Sequence, residues 1–134
     1  MLKKIRRQRK GQALVEMALI LPLLLLLLFG IIEFGRVMSA SIIVTHGARD
    51  GARHGAVGAT DSEIVTRIQT KSAAVLFDSE NPEKLAIEIE RTGPIKGGDI
   101  QVTVNYQVTL YMPIIPEIIG NPFTVAGTSV MRVE

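Results

Sequence analysis

The chain has 134 residues, 47% of them hydrophobic, and a formal net charge of +2. That length suffices for one small domain, or for a membrane segment plus a smaller domain. It has no cysteine, which excludes disulfides, a lipidated lipoprotein-type cysteine and any thiolate metal site.

The charge is unevenly placed. Lys3, Lys4, Arg6, Arg7, Arg9 and Lys10 supply six of the 15 basic residues. Beyond them, nine basic residues stand against 13 acidic ones, a net charge of −4. A basic run of this kind is either a nucleic-acid patch or the cytoplasmic flank of a membrane segment. The neighbouring residues favour the membrane. From Met17 to Ile32 there is no charge and nothing more polar than Gly30. Gln12 to Ile32 as a helix spans roughly 31 Å, which matches a hydrocarbon core of about 30 Å. The expected arrangement is an N-terminus in the cytoplasm and the rest of the chain outside, with no nucleic acid as partner. A cleaved secretory signal is the alternative. Its apolar region is shorter, and Glu33 to Arg36 make a poor signal-peptidase site.

Glu16 interrupts the start of the apolar run. A carboxylate at the centre of a bilayer costs on the order of 2.5–3.5 kcal/mol, so Glu16 either marks the membrane edge or has a partner. The order of features is a basic cluster, Gly11, four residues, Glu16 and an apolar helix. It resembles the class III prepilin cleavage site, in which a membrane aspartyl peptidase cuts after the glycine. That resemblance implies cleavage between Gly11 and Gln12, with Glu16 the fifth residue of the mature chain and a candidate for pairing during assembly. The new amine of Gln12 then lies one helical turn from Glu16, and a carboxylate in the first turns suits the helix dipole.

The likeness extends further. Residues 11–36 (GQALVEMALILPLLLLLLFGIIEFGR) and 46–56 (HGARDGARHGA) resemble the TadE-like minor pseudopilins of tight-adherence (Flp, type IVc) pilus systems. So does the C-terminal pattern of an alternating strand, a Pro-rich break and a closing strand. The resemblance implies an inner-membrane protein whose partners are a prepilin peptidase, other pilins or pseudopilins, and the pilus assembly machinery. Met17 stands where major pilins of these systems tend to carry an aromatic residue, which points to a minor subunit. Gln12 replaces the usual first Phe and leaves amine methylation open. Two rivals are an uncleaved single-pass component of a pilus or secretion machine and a type II secretion pseudopilin.

Past the membrane the helical pattern continues through Phe34, Val37, Met38, Ile42 and Val44. Gly47, Gly51 and Gly55 recur every four residues, with Ala48, Ala52 and Ala56 beside them and Arg49 and Arg53 as a neighbouring ridge. Residues four apart share one helix face. Each glycine weakens a helix by about 1 kcal/mol relative to alanine, so three imply close packing in compensation. The packing partner is either the chain's own sheet or another subunit; a flexible linker over 47–58 is the other reading. His46 and His54 are spaced too far apart to share a metal, and read as solvated or packed. Asp50 is expected to pair with a neighbouring arginine.

Thr60 with Glu63 is a capping-box signature. Ile64, Val65, Ile68, Val75 and Leu76 place a helix from there to about Phe77. Leu85–Glu90 alternates as a strand, Gly93-Pro94 and Gly97-Gly98 mark turns, and Ile100–Tyr111 is the clearest strand. Phe123–Val133 reads as a third strand, with Gly127 at a bulge or bend. No nucleophile with its base and no phosphate loop occurs, so no catalytic residue, cofactor or metal is expected. The expected fold is α+β and pilin-like. A long N-terminal transmembrane helix extends into a small external domain with one helix and a three-stranded antiparallel sheet. The expected divisions are a cleaved leader (1–11), the span and stem (12–58), and the external domain (59–134).

Overall fold

A computed structural model describes residues 2–76, 79–94, 96–112, 117 and 120–134, with side chains from Gly11 onward. The elements run α1 (Leu2–Ala56), α2 (Asp61–Ser72), β1 (Leu85–Thr92), β2 (Asp99–Val108) and β3 (Phe123–Arg132). The fold is α+β, with one three-stranded antiparallel sheet in the order β1-β2-β3. The chain forms two compact units, Met1–Phe34 and Gly35–Glu134.

The first unit is helix. Every large apolar side chain from Leu14 to Ile32 is exposed, the least so being Leu25 at 42%. The mean hydropathy there reaches 2.7. A helix apolar on all sides has no wet face, and this one is long and apolar enough to cross a membrane. Pro22 lies inside it without ending it, as membrane helices tolerate.

The second unit holds the core. Val44, Ala48 and Ala52 of α1, Ile64 and Ile68 of α2, and Ile100, Val102 and Val104 of β2 are essentially inaccessible to water. Removing each large side chain of this set from water contributes about 1.5–3 kcal/mol. The alternation expected of β2 is what the sheet uses. Ile100, Val102, Val104, Tyr106 and Val108 are buried, and the residues between them are exposed or half-buried. The register pairs Val102 with Ile89 on one side and Ser129 on the other, which sets the inner face of all three strands.

Residues 47–56 are helix, so the linker reading does not hold there. The helix ends because Gly58 takes φ +95°, which suits a residue with no Cβ. Thr60 then opens α2 with both halves of the capping box. Its hydroxyl accepts from the Glu63 backbone N–H, and the Glu63 carboxylate accepts from the Thr60 N–H at 2.8 Å.

Four expectations need correction. Helix α2 stops at Ser72 rather than near Phe77, which itself lies outside the described residues. Nothing in Ala73-Ala74 breaks a helix locally. The chain turns there and brings Leu76 into the core while Val75 stays exposed. Strand β2 leaves the ladder after Val108, three residues before Tyr111. Leu110 is held instead by the side-chain amide of Asn121, whose Oδ1 accepts from the Leu110 N–H (3.0 Å) while Nδ2 donates to its carbonyl (3.1 Å). Strand β3 ends at Arg132, and Val133 donates to Gly98 across the turn at 2.8 Å. Gly127 is neither bulge nor bend; it pairs in register with Val104. A Cβ there would stand 2.7 Å from the backbone of Val44 and Thr45. Its small size lets α1 approach the sheet.

Candidate functional site

Gly11, Gln12 and Glu16 lie on α1 and are exposed. Gln12 and Glu16 are separated by four positions and so share a face. A Cβ built on Gly11 meets no atom within 4 Å. Among the described residues nothing packs against that position.

The Gly47/Gly51/Gly55 face behaves in the opposite way. A Cβ on Gly47 would lie 3.3 Å from Ile68 Cγ2. On Gly51 it would lie 2.8 Å from Ile68 Cδ1, 3.1 Å from Ile64 Cγ2 and 3.3 Å from Val102 Cγ1. On Gly55 it would overlap Ile100 Cδ1. Of the two partners open to the stripe, the chain's own α2 and β2 occupy it. The glycines bring three elements of the second unit together.

The flanking charges sort themselves by this packing. Asp50 pairs with α2 rather than with Arg49 or Arg53. Arg67 Nε donates to Asp50 Oδ2 at 2.8 Å and Lys71 Nζ to the same oxygen at 2.7 Å. Burial alone would raise the Asp50 carboxyl; the hydrogen bonds and positive charges of Lys71 and Arg67 outweigh it and hold the pKa below its usual value. Glu63 is held low by the backbone N–H and hydroxyl of Thr60. Arg49 and Arg53 form an exposed ridge, His46 is exposed and His54 half-buried. Among the described residues no cluster of three potential metal ligands occurs.

Sequence reasoning missed two clamps. Arg91 of β1 donates to Asp61 Oδ1 (2.7 Å) and to the Ala59 carbonyl (3.0 Å), tying the sheet to the start of α2. Arg36 of α1 donates to the Thr109 carbonyl at 3.3 Å and lies over the Tyr111 ring at 4.9 Å from its centroid. Glu33 is buried, at 7% exposure. One local signal pointed to the Arg36 clamp, its place as the first cation after the apolar run. The Tyr that receives it is 75 positions away, and no local pattern links them.

A single apolar helix leading into a small α+β head is the architecture of a protein compatible with single-pass membrane anchoring. Residues 11–53 match the family model described as TadE-like protein. Over that stretch, about a third of its length, the chain is similar to that family. No curated protein and no solved structure matches the chain significantly.

Proposed function

We propose that the chain is a minor pseudopilin. In this reading it is anchored in the inner membrane by residues 12–32 with the second unit outside. A prepilin peptidase cuts it between Gly11 and Gln12, and it then acts, without catalysis of its own, in assembly or regulation of a tight-adherence pilus. The supporting observation is that the family match begins at Gly11, the residue after which the cut is expected, and runs along the same helix to Arg53. In this reading the peptidase, which admits only a small residue at the cut, is what asks for glycine at position 11.

Glu16 then has a stated role. Cleavage places a charged amine on Gln12, one turn away. In a packed bundle of such helices the carboxylate meets the amine of its own or a neighbouring chain, and a misregistered neighbour leaves a charge unpaired at high cost. The test is the intact mass of the protein from membranes with and without a prepilin peptidase. Loss of Met1–Gly11 only when the peptidase is present is the expected result. A chain that retains Met1 in its presence overturns the processing.

A further inference from the structure

Among the described residues, Tyr111 is the most exposed large hydrophobic side chain, at 76%. Its presentation is fixed by the structure around it. Leu110 before it and Met112 after it are both buried, so the alternation of the chain turns Tyr111 outward. The Asn121 amide grips Leu110 through both backbone groups. Arg36 binds the carbonyl of Thr109 and sits over the Tyr111 ring. Three anchors therefore fix an aromatic ring at an exposed position.

The place of Arg36 in the chain gives the reason. It follows Ile32, the last residue of the apolar run, by four positions of one continuous helix, close to a single turn. Two more exposed apolar side chains, Phe34 and Met38, flank it in sequence. The sequence after Tyr111 stays mostly apolar as well, with four isoleucines and a single charge, Glu117, between 112 and 119. Tyrosine has an apolar body and a polar tip, and it concentrates where hydrocarbon meets headgroups. Arginine carries a planar charged fork suited to phosphate, on a stem that tolerates apolar surroundings.

We propose that Tyr111, held by Arg36, is a bilayer anchor: the partner of this surface is the phospholipid headgroup layer on the side where helix α1 leaves the membrane. This rests on the membrane-anchored reading above and adds a second point of attachment, formed by a residue 75 positions downstream in the chain. A span held at one point leaves a head free to swivel; a ring seated among the headgroups restrains it.

The sequence contains no tryptophan, so Tyr111→Trp gives the chain a single tryptophan, selectively excited, at the proposed contact. The variant is reconstituted into phosphatidylcholine–phosphatidylglycerol vesicles carrying bromine either near the headgroup or deep in the acyl chain. Val130→Trp, on the outer face of the sheet and likewise exposed, is the companion variant. The expected result is quenching of Tyr111→Trp by the shallow bromine more than by the deep one. Its emission should also be blue-shifted relative to Val130→Trp, which lipid-borne bromine leaves unquenched. Equal insensitivity of both tryptophans to lipid bromine overturns the anchor. Flotation separates the two levels of the argument: a chain that fails to float with vesicles refutes membrane anchoring itself, whereas one that floats with an unquenched Tyr111→Trp refutes only this contact.

Discussion

Gly127 of β3 meets Thr45 of α1 backbone to backbone: a Cβ on Gly127 would stand 2.7 Å from both the Cα and the N of Thr45. No side-chain rotation relieves that contact, because the neighbour is main chain. Gly127→Ala therefore forces helix and sheet apart, with an expected loss of about 1–3 kcal/mol and more for Gly127→Val. Chemical denaturation of the full-length protein in detergent, followed by circular dichroism, measures it. Gly11→Ala, where the added methyl meets no described atom, serves as the control without a clash and should be stabilising by up to about 1 kcal/mol through helix propensity.

The glycine face of α1 should respond in graded fashion. Gly47→Ala adds a methyl 3.3 Å from one flexible Ile68 methyl. It also gains up to about 1 kcal/mol of helix propensity, so it should be near neutral. Gly51→Leu drives into Ile64, Ile68 and Val102 and should cost on the order of 3 kcal/mol. Gly55→Leu, against Ile100, should cost at least as much. The effect is on the stability of the head itself. A Gly51→Leu chain as stable as the parent contradicts the packing.

Processing and association are separable. Gly11→Leu should leave insertion intact and abolish the peptidase-dependent loss of mass. Glu16→Gln keeps the shape and loses the charge; it should still be cut after Gly11, yet show reduced crosslinking to partner pilins. Glu16→Ala should behave alike. Normal crosslinking in both reduces Glu16 to a residue at the membrane edge.

The capping box makes the start of α2 sensitive to acid. The Thr60 backbone N–H and hydroxyl hold the Glu63 carboxyl below its usual 4.5. A carboxyl depressed in the folded state stabilises fully above its unfolded pKa, and that contribution is lost as pH falls through the folded one. Asp50, held below its usual 3.8 by Lys71 and Arg67 against the opposing effect of burial, acts in the same direction at lower pH. The melting temperature should fall on acidification below about 4.5. Glu63→Gln should flatten the upper part of that fall, and Thr60→Ala should lower stability by about 0.5–2 kcal/mol at neutral pH. An identical pH profile in parent and Glu63→Gln excludes the carboxylate as the titrating cap.

Some of this architecture was plain in the one-dimensional pattern. The apolar run needs no partner to be recognised, because Met17–Ile32 carries no charge and the stretch from Gln12 to Ile32 matches a bilayer in length. The alternation of β2 marks its buried face because side chains on a strand point to opposite sides in turn. Thr60 and Glu63 announce the start of α2 because both halves of a capping box lie within four residues. The spacing of Gly11 and Glu16 is likewise a local signal.

What the sequence left open concerns which distant surfaces meet. The Gly47/Gly51/Gly55 stripe declared that something would pack closely, and only the fold chose α2 and β2 over a second subunit. Gly127 signalled an irregular backbone yet occupies a regular ladder, since its smallness serves the helix above it. The end of α2 at Ser72 has no helix-breaking residue beside it, and the turn that follows it carries the buried Leu76. Arg36 and Tyr111 are ordinary residues until the fold stacks one on the other. Sequence by itself determined the apolar span, the Gly11–Glu16 spacing and the elements, because hydropathy, capping and alternation act over a turn or two of chain. Tertiary structure alone decided the partners of the glycine stripe and of Arg36, because contacts between residues 9 to 75 positions apart depend on how whole elements pack.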